Sequence, residues 1–393
     1  MIEIIDKSKC CGCTACYSVC PKHCISMTMD EEGYLYPKVK ADDCIECGLC
    51  EKTCPIITKK DILRNDVKAY AVQNRNENLR EKSSSGGAFS VIAEKVIEKG
   101  GYVFGCKFDE DFKVVHSCVS TYEGLENFRG SKYVQSFLGD SFSEIKNLLK
   151  SGKLVLFSGT PCQVAGLHSF LKKEYENLLS IDLVCHGIPS PGLWDKYISY
   201  MNKTEKSKIT YISFRNKKFG YAGSTMAFGF ENGKFEYSNR KVQFYKHLFF
   251  EDINSRPSCF DCQFRGVQRI SDFTIYDCWH MNQVEPSWDD DKGSTWVLVQ
   301  SEKGQKFFEE LKEKIRYKEA PLELAIKLDG ELAVASTSPN PLRNSFFDDN
   351  KVMDIDRLIK KYFPLTLKKR ITFIIKPMLH RFGILNKLKR LLK

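Results

Sequence analysis

CCGCTACYSVCPKHC, residues 10–24, places six cysteines in fifteen positions, and what those thiols bind decides how the N-terminus folds. Cys10, Cys13, Cys16 and Cys20 follow C-x2-C-x2-C-x3-C and end against Pro21; the pattern returns as Cys44, Cys47, Cys50 and Cys54, followed by Pro55. Three thiolates spaced two residues apart on a tight loop can each cap a different iron of a cubane, while a fourth, presented after the other run, takes the last iron. The pattern predicts one [4Fe-4S] cluster on Cys10, Cys13, Cys16 and Cys54, and a second on Cys44, Cys47, Cys50 and Cys20. A zinc site would show isolated CxxC pairs with histidine or further pairs, not triplets closing in Cys-Pro twice. Cys11 and Cys24 fall off the pattern and read as spare small residues.

Between the runs, ISMTMD-EEG-YLYPKV reads as a hairpin turning at Gly33. Together these features make a small α+β dicluster ferredoxin-like domain over 1–57. The polar stretch 58–66 reads as a linker.

The 393 residues suffice for two or more domains with a sizeable core. The first residues lack a basic start and an apolar h-region, and no run of about 18 apolar residues suggests a membrane span. Seventeen cysteines in that setting point to a reducing, cytoplasmic environment and to metal binding rather than disulfides. The net charge of +10 is a property of the tail: from Arg357 onward there are twelve Lys or Arg and no acid, leaving 48 bases against 50 acids before it, a net of −2. No nucleic-acid recognition module accompanies the charge.

From 67 to 345 strand-like and helix-like patterns alternate, which predicts an α/β domain with a mixed sheet and flanking helices. Strands are expected at 67–72, from 102, at 153–158, 178–185, 273–276 and 295–300. Helices are expected at 87–100, Ser141–Lys150, 163–171, 190–201 and 304–315, and a hairpin flanks ENG at 231–233. Three loops invite a chemical reading. SSSGGAF (83–89) precedes a helix, where free N–H groups favour an anion, although on these residues alone a serine N-cap with a flexible turn is the simpler reading. RGSKYVQS (129–136) offers Arg129, Lys132 and Tyr133 to a pyrophosphate or a ring, or is an ordinary exposed loop. SGTPCQ (158–163) sets Cys162 between a strand and a helix, the ligand-facing end of a parallel sheet, where the helix N-terminus is expected to lower its pKa. Cys185 also ends a strand, and Cys259 and Cys262 form a CxxC in a loop, so four thiols could converge on one metal.

SSSGGAFS, GSKYVQS, GTPCQVAGLHSFL, DLVCHGIPSPGLW and RPSCFDCQF, in this order behind the two cysteine runs, resemble the coenzyme F420 hydrogenase/dehydrogenase beta-subunit family, in its bacterial form with an N-terminal dicluster ferredoxin domain. The resemblance implies FAD beside a third [4Fe-4S] cluster. It implies that Ser85, Gly86, Gly87, Gly130, Lys132, Tyr133 and Asp277 belong to the flavin-binding part, and that Cys162, Cys185, Cys259 and Cys262 are cluster thiolates. The chain departs from the family at Tyr276-Asp277-Cys278-Trp279-His280, where Tyr276 and His280 stand at positions that are commonly glycine; Cys278 is a further candidate ligand there. The implied function is an iron–sulfur flavoprotein oxidoreductase, passing electrons between a hydride carrier or small organic substrate and a ferredoxin-type redox partner. The alternatives are a flavin-free electron-transfer subunit serving a separate catalytic partner, in cell-surface polysaccharide synthesis for example, and a structural iron–sulfur protein. The long α/β domain disfavours the last. His168, His186 and His280 are available as proton carriers, but each reads equally as a satisfied structural residue, so no catalytic residue is assigned.

The segment 346–393 reads as a basic amphipathic tail. Ile384, Leu385, Leu388, Leu391 and Leu392 share one helical face among Lys387, Lys389, Arg390 and Lys393. Such a helix suits an anionic membrane surface, which would place the protein at the inner face of the membrane; docking on its own domain is the other reading.

Overall fold

The computed structural model describes residues 1–59, 62, 64, 66–237 and 239–381. In the N-terminal domain each cysteine run wraps into a short helix, Ala15–Val19 and Leu49–Thr53. Each helix is entered through a left-handed residue, Thr14 (φ 60°) and Gly48 (φ 68°), which curls the loop that carries the thiols. Strands β1 (Ile25–Met29) and β2 (Leu35–Val39) pair antiparallel as the sequence predicts, and Gly33 turns the hairpin at φ 83°.

The larger body is built on an eight-stranded mixed sheet. In chain order its strands are β3 (Lys68–Asn74), β4 (Tyr102–Phe108), β5 (Val114–Val119), β6 (Val155–Gly159) and β7 (Leu178–Leu183). A separate three-stranded sheet follows, of β8 (Ile209–Asn216), β9 (Thr225–Phe230) and β10 (Phe235–Tyr237). The large sheet then closes with β11 (Phe273–Asp277), β12 (Thr295–Val299) and β13 (Ile315–Ala320). Its spatial order is β13-β3-β12-β11-β7-β6-β4-β5. The central four, β11-β7-β6-β4, run parallel, and antiparallel strands flank them on both sides. The α/β reading is correct, and the parallel centre matters for function: the loops after β6, β7 and β11 emerge at the carboxyl ends, where such sheets bind ligands.

Two sequence expectations give way. The sequence predicts one helix over 304–315 because Glu, Lys, Leu and Gln are good helix formers. The helix covers Glu302–Glu309, and Ile315 starts edge strand β13, its side chain buried in the core with Tyr70 and Phe308. Burial of one apolar residue on a sheet edge outweighs local propensity here. The residues from 346 to 363, which read as tail in the sequence, pack into a core: helices Arg343–Val352 and Ile355–Tyr362 bury Phe346, Phe347, Leu358 and Ile359 with Trp194, Tyr197 and Tyr245. Helix Leu367–Arg381 follows; Lys376 Nζ donates to the Gly223 carbonyl at 2.8 Å, and His380 meets the Phe219 ring edge-on at 5.1 Å. The apolar face from Ile384 to Leu392 lies outside the described residues. Among the described residues no helix is long and apolar enough to cross a membrane.

The small domain is built into the larger body. Tyr34 and Tyr36 join the same core as Trp194, and the Tyr34 hydroxyl donates to the Asn254 carbonyl at 2.6 Å. Arg343 grips Glu32 through both guanidinium nitrogens, at 2.9 and 2.5 Å. Gly33 lies so close to Gly192 that an added Cβ would stand 2.7 Å from its Cα. A second close approach joins helix Pro161–Leu171 to the first cysteine run, because a Cβ on Gly166 would meet Cys13 Cβ at 2.9 Å and Sγ at 3.0 Å.

Candidate redox site

Two cavities meet at the carboxyl ends of the parallel strands. The smaller, about 250 Å³, is lined by Cys162, Cys185, Cys259 and Cys262, with Cys11 beside them. Each thiol comes from a different local structure. Cys162 sits in the first turn of helix Pro161–Leu171, which Thr160 and Gln163 cap reciprocally. Cys185 follows β7, Cys259 ends the turn Pro257–Cys259, and Cys262 lies three residues on. Polar groups already address the sulfurs: Ile188 N–H donates to Cys259 Sγ at 3.3 Å, and Thr160 Oγ1 lies 3.2 Å from Cys162 Sγ.

As free thiols these groups resist ionisation. Burial, then the neighbouring Cys162, pushes Cys185 up to about 12; burial and the other thiols raise Cys259 and Cys262 as well. Cys162 also rises, through its contact with Cys11 and then burial, so the expected lowering by the helix N-terminus is overturned. Buried, mutually repelling thiolates are the donor set that a cationic iron centre stabilises and deprotonates. Among the described residues no three His, Cys, Asp or Glu side chains stand as close together as a single metal ion requires. A cubane, in which each thiolate binds a different iron, takes them further apart. The four residues fit that group.

The first cysteine run lies against this cavity. Cys13 packs on Gly166 one turn along from Cys162, and Cys16 is influenced by Cys10, Cys54 and Cys50, in that order, with burial pushing its thiol to about 12. Cys10, Cys54 and Cys50 therefore all lie around Cys16. Cys20, Cys44, Cys47 and Cys50 line a separate small cavity at the far end of the domain, where Ile2 N–H donates to Cys50 Sγ at 3.3 Å and Glu46 N–H to Cys44 Sγ at 3.4 Å. Cys11 and Cys24 are not idle fillers. Cys11 is buried in the wall between Cys13 and Cys162, and Cys24 Sγ lies 3.4 Å from Cys20 Sγ. Their off-pattern positions carry no signal of this.

The larger cavity holds about 560 Å³, within the usual range for cofactor sites. Ser85, Gly87, Gly130, Lys132, Tyr133 and Asp277 all line it, so the structure brings together two loops and the end of β11 that are far apart in sequence. Gly86 is the exception: it is wedged between β3 and β12, its N–H donating to Thr295 Oγ1 at 2.8 Å. Gly87 (φ 86°) opens helix Ala88–Glu98 toward the cavity. Ser84 Oγ accepts from Ser131 N–H at 2.7 Å and ties the two loops together. Tyr133 stacks on Phe249 at 4.6 Å. His116 lines the cavity too; its Nε2 lies 3.0 Å from the Ser158 carbonyl, and its buried Nδ1 has no partner among the described residues. Burial lowers His116 to about 4, so the ring is neutral and that nitrogen is a bare acceptor. A cavity with a helix N-terminus, an aromatic wall and Lys132 and Lys246 in its lining fits a flavin nucleotide.

The departure around 276–280 shapes the mouth. Asp277 is gripped by Arg215 at 2.6 and 3.1 Å and accepts from the Tyr221 hydroxyl at 2.9 Å. Trp279 stacks on Tyr221 at 4.3 Å and lines the cavity. Cys278 is buried beside Met281 and lines neither cavity, so it does not compete as a ligand. His280 pairs with Asp329 at 2.7 Å and His186 with Asp252 at 3.0 Å. His168 is half-buried, with its buried Nε2 unpartnered among the described residues.

Residues 152–324, which contain all four converging cysteines and Asp277, match the family model for the C terminus of the coenzyme F420 hydrogenase/dehydrogenase beta subunit. Residues 9–56 match the 4Fe-4S dicluster domain. The chain belongs to the coenzyme F420 hydrogenase/dehydrogenase beta-subunit family. It is an iron–sulfur protein of that family, with a ferredoxin-like dicluster domain at its start. Among curated relatives, an uncharacterized ferredoxin of Methanocaldococcus jannaschii is 42% identical over 52 residues, 13% of this chain and 66% of the ferredoxin. A ferredoxin 7Fe of Hydrogenibacillus schlegelii is 38% identical over 64 residues, 16% of this chain and 76% of that one. VorC, a ketoisovalerate oxidoreductase subunit of Methanothermobacter marburgensis, is 31% identical over 61 residues, 15% and 77% of the two chains. A chain of the F420-reducing [NiFe] hydrogenase complex from Methanosarcina barkeri aligns with a TM-score of 0.43 and 14% identity, over 78% of this chain and 95% of that one.

Replacing Cys259 by Ser is expected to lower iron by about four per chain while the N-terminal clusters stay loaded. Iron and acid-labile sulfide, measured on anaerobically purified protein against wild type, check this.

Proposed function

We propose that this chain is an iron–sulfur flavoprotein oxidoreductase, carrying electrons between a hydride carrier or small organic substrate at the large cavity and a ferredoxin-type partner at the N-terminal domain. The observation that carries the reading is a shared wall: Cys185, Gly187 and Ile188 line both the large cavity and the four-cysteine cavity. FAD, when bound, exchanges two electrons as a hydride with a carrier and passes electrons singly to iron–sulfur centres, each of which takes one.

The residues divide the work. Gly87 and the first turn of its helix present backbone N–H groups to phosphate. Lys246, half-buried on the cavity wall, adds a cationic group whose pKa is pushed down to about 8 by burial. Tyr133, held flat by Phe249, offers a ring face. Cys162, Cys185, Cys259 and Cys262 hold a [4Fe-4S] cluster next to that site. Cys10, Cys13, Cys16 and Cys54 hold the next, and Cys20, Cys44, Cys47 and Cys50 the outermost. Cys47 is exposed and Cys44 half-buried, which makes the last set the contact point for a redox partner.

Helix Leu367–Arg381 supports a second contact. Leu367, Ile371, Ile375 and Met378 are exposed at helical spacing, in a segment rich in bases and free of acids. This face docks on an anionic membrane surface while Lys376 and His380 hold the helix to the body.

Anaerobically purified protein is expected to contain about twelve irons, from three cubanes, and one FAD per chain, and the flavin absorbance to bleach with a hydride donor. About eight irons and no flavin after reconstitution would leave an electron-transfer subunit instead. The full chain is expected to sediment with phosphatidylglycerol vesicles and a 1–366 truncation, which keeps the buried helix Ile355–Tyr362, to remain in solution; equal sedimentation contradicts the membrane contact.

A further inference from the structure

Arg256 is fully buried, with 0% of its surface exposed. Its Nε donates to the Cys10 carbonyl at 2.7 Å, Nη1 to Gln135 Oε1 at 3.0 Å, and Nη2 to the Leu35 carbonyl at 3.0 Å and toward Cys10 Sγ at 3.5 Å. The guanidinium lies 4.0 Å from the centre of the Tyr36 ring. Its own backbone N–H donates to the carbonyl of Ile188, on the wall between the two cavities. One side chain therefore touches the first cysteine run, the ferredoxin-like hairpin and, through Gln135, the lining of the large cavity.

Among the described residues no carboxylate pairs with this guanidinium; its partners are carbonyls, an amide, a thiol and an aromatic face. A buried guanidinium cannot shed its proton to escape the cost of burial, and buried charges persist where an opposite charge compensates them. The missing negative charge has a natural source at the one thiol that Arg256 touches. A [4Fe-4S] centre held by four thiolates is anionic, and it gains one further negative charge when it accepts an electron.

We propose that Arg256 is the built-in counter-charge of the inner ferredoxin cluster, the one held by Cys10, Cys13, Cys16 and Cys54, and that it raises the reduction potential of that cluster. A fixed cation beside the centre stabilises the more negative, reduced form over the oxidised one, and little solvent is present to screen it. The inner cluster then attracts the electron leaving the four-cysteine site. Arg256 is a positioning and tuning residue: it acts through Cys10 and exchanges no proton or electron itself. This rests on the cluster assignment above.

The test is an anaerobic redox titration of the full, cluster-loaded chain, followed by electron paramagnetic resonance, with iron counted on every sample. Two variants remove the net charge differently. Arg256→Gln deletes the cation, whereas Gln135→Glu leaves Arg256 and its backbone contacts in place and sets a carboxylate on Nη1. Both are expected to make the inner cluster at least tenfold harder to reduce, a fall of about 59 mV for one electron, while the cluster on Cys20, Cys44, Cys47 and Cys50 keeps its potential. Arg256→Lys, which retains charge, is expected to stay near wild type. An unchanged potential in loaded Arg256→Gln or Gln135→Glu overturns the proposal, as does an equal fall in Arg256→Lys. Loss of the inner cluster from all three variants overturns it too, making Arg256 a purely structural clamp. Wild-type protein that binds no cubane at Cys10 would instead defeat the cluster assignment itself.

Discussion

The close packing of Cys13 on Gly166 is the constraint from which the rest of the architecture follows. Helix Pro161–Leu171 carries Cys162 in its first turn and Gly166 one turn later, and there is no room for a side chain where Gly166 meets the first cysteine run. The thiols of the small domain and the converging thiols of the large one are thereby held side by side. Interfaces between domains of one chain are ordinarily modest and permit relative motion. Here the Tyr34 side chain buried in the larger core, the Glu32–Arg343 pair and the contact of Gly33 with Gly192 remove that freedom. The ferredoxin-like domain is thus held as a fixed part of one redox body.

Parallel strands do the remaining positioning. Because β6, β7 and β11 point the same way, the residues at or just after their ends, Cys162, Cys185 and Asp277, arrive at one end of the sheet, and the Pro257–Cys262 segment closes over them. Two cavities of different chemistry result from one topological fact. One is lined by thiols and is small; the other is aromatic, cationic at its edge and large enough for a nucleotide cofactor. Cys185, Gly187 and Ile188 line both and form a wall that the two cavities share.

Local patterns in the sequence are readable because their physics is local. The Gly33 turn and helices such as Ser141–Lys150 are set within a few residues, and the structure reproduces them; the ligand spacing of the two cysteine runs is local in the same sense. Convergence is harder. The separations between Cys162, Cys185 and Cys259 carry no geometry until the strand order is known, and on the residues alone they leave the site open. Arg256 leaves no trace at all, since a lone arginine in RPSCFDC reads as an exposed charge until the small domain covers it. Cys11 reads as a spare residue for the same reason: the run that surrounds it explains its neighbours but not its own contact with Cys162. The charged residues of 346–363 conceal a buried face, so a segment that completes a core resembles part of a basic tail.

The central claim is a continuous path of iron centres from the large cavity to the protein surface. X-ray anomalous scattering at the iron absorption edge, on crystals of anaerobically prepared protein, tests it most directly. The account predicts three separate iron centres, one of them within the cavity of Cys162, Cys185, Cys259 and Cys262 and between the large cavity and the Cys10 set. Iron confined to the N-terminal domain, with those four cysteines carrying none, would contradict it.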